Sequence, residues 1–134
     1  MTRREQREQI FKLLFRAEFH DSEAMEEQKD FFCTENDEMD PASDKEVTYI
    51  TGKAKDILDK KEEIDQAIDN VVTGWKTNRM GKVELSLLRL AYYEMKYEES
   101  IPASVAINEA VELAKNYGQD EAASFVNGVL AKLV

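Results

Sequence analysis

The chain has 134 residues, of which 43% are hydrophobic and 34% charged, and its formal net charge is −10. That length suits one domain able to bury about two-thirds of the surface its unfolded form exposes, so stability requires neither a metal nor a disulfide. With only five Gly and two Pro there is little material for sheet turns, and the composition points to an all-α protein while setting a strongly acidic chain against nucleic acid unless its charges are segregated.

They are segregated from the start. Thr2 to Arg16 carries Arg3, Arg4, Arg7, Lys12 and Arg16 against Glu5 and Glu8 only. Thr2 and Glu5 have the spacing of a capping box, and Ile10, Leu13, Leu14 and Ala17 form an apolar stripe widened by Phe11 and Phe15, so this is a helix. Its arginines fall in the first two turns, where cations oppose the helix dipole at a cost of about 0.3 to 1 kcal/mol; the placement suggests a bound anion, against a plain solvated face.

From Glu18 to Glu46 the charge reverses, with acidic residues far outnumbering Lys29 and Lys45. Asp21 or Ser22 can cap a second helix holding Ala24, Met25, Gln28, Phe31 and Phe32. Cys33, the only cysteine, excludes an internal disulfide or a multi-cysteine metal site and reads as a partly buried thiol. The segment TENDEMDPASD is a solvated acidic loop, lacking the glycine and terminal glutamate of a calcium loop.

Val47, Ile50, Ala54 and Ile57 mark a third helix, and Ile64, Ala67, Ile68, Val71 and Val72 a fourth. Gly74 is expected to end the fourth, and Trp75 to pack at the junction between the two halves of the chain. A fifth helix follows Gly81. Its stripes Val83, Leu87, Leu90, Ala91 and Leu85, Leu88, Tyr92, Met95 leave few polar positions, so it is central and Arg89 within it is a paired structural arginine.

The stretch from Ile101 to Val134 predicts two packed helices. Ala106, Ala110, Leu113 and Tyr117, beside Ile107, Val111 and Ala114, make the first apolar over more than half its circumference, which places it inside a bundle. Pro102 stands at or just before its first turn, and Gly118 is expected as a left-handed C-cap. Phe125, Val126, Val129, Leu130 and Leu133 give the last helix one apolar face.

No run approaches the ~18 apolar residues of a membrane span, and the charged N-terminus is unlike a signal peptide, so a cytoplasmic protein is expected. Catalytic chemistry has little to build on: His20 is the only histidine, no glycine loop cradles phosphate, and no nucleophile elbow is present. Glu109 and Glu112, near Lys115, read as a solvated edge instead of paired catalytic carboxylates. The expectation is a protein without enzymatic activity, cofactor or metal.

Three segments in order, VELSLLRLAYYEM, IPASVAINEAVELAKNYG and SFVNGVLAKL, resemble the NusB family of bacterial transcription antitermination proteins. The similarity extends to RREQREQIFKLLF and to the segment of Trp75 and Arg79, covering the chain apart from its acidic middle. It implies a seven-helix fold of two small bundles, about 1–75 and 76–134. It also implies binding of boxA RNA in ribosomal RNA operon transcripts together with the ribosomal protein NusE, within an RNA polymerase elongation complex containing other Nus factors. The family's RNA-binding positions correspond to Arg3, Arg4, Arg7, Arg79, Glu121 and Phe125, and its protein-partner positions to Phe15 and Glu84. Core packing is the competing account of Phe125.

Departures from the family pattern qualify this. Members often carry a longer basic arm, and a serine and a lysine where this chain has Ala122 and Ser124. Fewer cations imply that boxA is bound usefully only with the basic ribosomal partner. Two alternatives compete: a helical protein-interaction module without RNA binding, and the similar RNA-binding domain of rRNA cytosine methyltransferases, in which a catalytic domain would follow Val134. Both monomers and homodimers fit the resemblance.

Overall fold

The computed structural model describes residues 1–19 and 44–134. Among the described residues there are six α-helices and no strand: α1 Arg3–Ala17, α2 Asp44–Asp59, α3 Lys61–Val71, α4 Lys82–Tyr97, α5 Ala103–Tyr117 and α6 Ala122–Ala131, with a 3₁₀ turn at Thr77–Arg79. The expected second helix, the acidic loop, His20 and Cys33 lie outside the described residues.

Two compact units divide the chain, Met1–Leu58 and Asp59–Val134. The division falls earlier than the boundary near residue 75 read from sequence. Its physical reason is that α3 packs on α4 and on the 3₁₀ turn, and so belongs with the C-terminal helices.

In the first unit, the Thr2 hydroxyl oxygen accepts from the Glu5 amide at 3.1 Å, satisfying one of the unpaired amides that open α1. Ile10, Phe11, Leu13 and Leu14 are buried along one face. In α2 the predicted Ile50, Ala54 and Ile57 are buried, joined by Lys53, whose ammonium lies over the Tyr49 ring at 5.6 Å from its centroid.

In the second unit α4, α5 and α6 pack pairwise. As its double stripe predicts, α4 is central: Leu85 through Ala91 is buried without a break. Truncating Leu87 or Leu88, both 0% exposed, to alanine would cost about 2–5 kcal/mol. Arg89 is paired as expected, its guanidinium donating twice to Asp65 of α3.

Three expectations are corrected. The buried residues of α5 are Ala106, Ala110, Leu113 and Ala114, while Val105 and Tyr117 are 42% and 39% exposed, so the helix packs on α4 and α6 but leaves part of its surface uncovered. Gly118 is extended, with φ −98° and ψ 175°, not left-handed. It is required by proximity: a Cβ there would run into the Ala122 side chain and the Ala114 carbonyl. Trp75, expected to pack, is 61% exposed. It lies beyond the end of α3 at Val71, after a turn at Gly74, whose φ of 93° is a backbone conformation that favours glycine.

Elsewhere on this unit, Lys96 and Tyr97 of α4 both donate to the Glu63 carboxylate of α3, Lys96 at 2.9 Å. The Tyr97 hydroxyl, and then Lys96, hold that carboxyl below its ordinary value. The same hydrogen bonds raise the titration of Lys96 and of Tyr97.

Candidate nucleic-acid interface

The residues selected from sequence fall into two groups, one on each unit. On α1, Arg3 and Arg4 are exposed and Arg7 half-buried. Arg3 and Arg7 are one turn apart and share a face, with Arg4 about 100° around the helix. Two turns beyond Arg7 the half-buried Phe15 sits between Phe11 and Phe19, with ring centroids 6.2 and 5.2 Å away. Phe19, 60% exposed, extends this aromatic edge and was not selected from sequence. Its spacing of four from Phe15 was the available signal.

On the second unit Arg79, Glu84, Glu121 and Phe125 line one open cavity of about 310 Å³, together with Trp75 and Gln119. The sequence resemblance divided these residues between an RNA set and, for Glu84, a protein-partner set; the fold brings them to one place. Phe125 is half-buried and lines the cavity.

Local structure explains each position. The Asp69 carboxylate, at the end of α3, accepts from the Thr77 amide at 2.7 Å and the Thr77 hydroxyl at 3.1 Å. Lys76 donates to the carbonyls of Asp69 and Val72 at 2.8 and 3.2 Å, closing the C-terminus of α3. These bonds tie down the segment that carries Trp75 and Arg79. Gly81 is the N-cap of α4 without a side-chain cap, and the Glu84 carboxyl group lies over its bare α-carbon. The close approach at Gly118 sets the start of α6, placing Glu121 at its N-cap and Phe125 one turn inside.

The chemistry on offer is recognition. Two carboxylates at the cavity repel phosphate but accept hydrogen bonds from base amino groups, while the Arg79 guanidinium can meet a phosphate or a base edge. The two aromatic rings offer stacking faces. Trp75 and Gln119 were missed as site residues. For Trp75 the signal was Gly74 in front of it; Gln119 has none, because only the α5–α6 turn places it at the rim. Among the described residues no cluster of His, Cys, Asp and Glu is placed to hold a metal ion, and no helix is long and apolar enough to cross a membrane.

The helices and this cavity define an all-α protein with an aromatic, mixed-charge surface site. The chain belongs to the NusB family, whose model matches residues 4–134. It is similar to the transcription antitermination protein NusB of Agathobacter rectalis, with 54% identity over 132 residues and 98% of each chain covered. Among solved structures it is similar to T. maritima NusB, at TM-score 0.82 and 32% identity, covering 99% of this chain and 90% of that one. It is also similar to a chain in the crystal structure of antitermination factors NusB and NusE in complex with dsRNA, at TM-score 0.76 and 25% identity, covering 99% and 97%.

Proposed function

We propose that the chain is a transcription antitermination factor of the cytoplasm, acting as an adaptor without enzymatic activity. It binds boxA RNA of ribosomal RNA operon transcripts together with NusE and joins the RNA polymerase elongation complex with other Nus factors. One observation carries this reading within the family assignment: Phe125, Glu121 and Arg79 share an open cavity in which a base has an aromatic face, an acceptor and a cation.

A net charge of −10 makes the chain a poor RNA binder unaided, and the few cations of α1 cannot offset it over the length of an RNA element. The basic ribosomal protein supplies the missing positive charge and recognises the acidic surface. Gel shifts with a boxA oligonucleotide, using each protein alone and both together across a salt series, test this. The expected result is a shift at low protein concentration only with both present. Tight binding by this chain alone sinks the shared-charge account. Partner binding without any RNA shift favours the protein-interaction module.

A further inference from the structure

Gly128 is the one glycine of α6, and the protein itself has no use for its missing side chain. A glycine inside a helix weakens it relative to alanine, and the usual reason to keep one is close internal packing. Here a Cβ at Gly128 would meet nothing within 4 Å. The glycine leaves a bare patch of backbone on an exposed helix face. That patch floors a second cavity of about 220 Å³, lined also by Thr73, Trp75, Ser124, Phe125 and Lys132.

Trp75 and Phe125 line both this cavity and the one described above, so the two lie side by side. Their electrostatics differ. The first is lined by Glu84 and Glu121 with Arg79. In the second, among the described residues, Lys132 carries the only charge. In a chain of net charge −10, a carboxylate-free groove ending in a lysine is the direction in which a polyanion is least repelled.

The geometry points to a continuation of the RNA path: an unpaired nucleotide stacks on Trp75, and its sugar-phosphate backbone crosses the bare helix at Gly128 toward Lys132. This rests on the reading that RNA is bound at the Phe125 cavity. A tryptophan residue exposed to 61% provides a sequence-tolerant stacking platform. A helix without a Cβ at the crossing point lets a backbone approach closely, and a lysine at its end meets a phosphate as a point charge.

The test uses the full chain with the ribosomal partner and a fluorescein-labelled boxA oligoribonucleotide, single-stranded or in a duplex, followed by anisotropy. Gly128→Leu is expected to weaken single-strand binding about tenfold, and Trp75→Ala about as much, with Trp75→Phe retaining most of the affinity. Thermal unfolding separates this from damage: Gly128→Ala and Gly128→Leu are expected to unfold no earlier than the parent. The chain has one tryptophan, so the emission difference between the parent and Trp75→Phe complexes isolates Trp75; it is expected to be quenched by the single strand and not by the duplex. Parent-like affinity in Gly128→Leu and Trp75→Ala, while Phe125→Ala still weakens binding, overturns this inference and leaves the proposed function standing. Absence of RNA binding by the unaltered pair overturns both. Loss of the ribosomal partner with RNA binding retained overturns the inference by assigning the groove to protein.

Discussion

The Arg89 guanidinium grips Asp65 in a two-point fork, Nε donating to Oδ1 and Nη2 to Oδ2, each at 2.8 Å, and so locks α4 to α3. The arginine side chain is 5% exposed and the aspartate 21%. Removing the aspartate takes its two-point acceptor from a buried charge, whereas replacing the arginine with an apolar chain of similar length removes the buried charge itself. Asp65→Ala is therefore predicted to destabilise by about 3 kcal/mol and Arg89→Met by clearly less. Urea unfolding of the two variants checks the order; equal losses would show that the pair contributes mainly through packing.

A second prediction concerns the aromatic cavity. If a base stacks on Phe125, Phe125→Ala weakens boxA binding by about 1–3 kcal/mol, the usual range for one stacked base. Because the ring is only half-buried, circular dichroism and the unfolding midpoint should move much less than for a core truncation such as Leu87→Ala. A large stability loss with unchanged RNA binding would return Phe125 to the core.

The arginines of α1 give a third. Arg3→Glu, Arg4→Glu and Arg7→Glu together are predicted to lower RNA affinity at every sequence and to flatten its salt dependence, since each lost phosphate contact reduces the logarithmic slope by about 0.7 to 0.9. Partner binding, measured by calorimetry without RNA, should persist. If partner binding is lost and RNA binding is untouched, the protein-interaction reading gains.

Two glycines should fail for different reasons. Gly118→Ala drives a methyl into the Ala122 side chain and a backbone carbonyl, and we predict a cost of about 1–3 kcal/mol. Gly74→Ala meets no neighbour but must hold φ at 93°, for about 1 kcal/mol. Asparagine, which tolerates positive φ, is predicted to recover part of the loss at position 74 and none at 118.

The Glu63, Lys96 and Tyr97 group predicts a pH profile of known sign. A carboxyl lowered by folding stabilises above the ordinary carboxylate range and loses that contribution as pH falls through it. Lys96 and Tyr97 are raised, so their contribution is full at neutral pH and disappears as pH rises past their ordinary values near 10. Glu63→Gln should flatten urea midpoints at both extremes. With the Lys96 and Glu63 side chains 45% and 53% exposed, solvent keeps the effect small.

Much of the fold was legible because apolar spacing reports burial directly. The unbroken double stripe of Val83 to Met95 identified the central helix, and a lone arginine inside it demanded a partner. The partner was not legible: Asp65 sits among acidic residues that look alike in sequence, and only the packing of α3 on α4 singles it out. Trp75 was misread because aromatic residues are usually packed, whereas this one follows a positive-φ glycine beyond the end of α3 and is exposed. The candidate site was half legible. Charge alone marked Arg3, Arg4 and Arg7, and family motifs marked Arg79, Glu84, Glu121 and Phe125; that the last four meet around one cavity depends on two turns whose geometry no periodicity encodes.

Asp69 links those turns to binding in a way that bears on genetics. Its carboxylate holds the Thr77 amide and hydroxyl and thereby the segment bearing Trp75 and Arg79, yet it does not line the cavity. A selection for antitermination-defective alleles should recover changes at Asp69 beside those at Arg79 and Phe125. Such alleles would map an RNA-facing surface one residue too wide, and a suppressor that re-closes the turn, not one that restores a charge, would tell scaffold from contact.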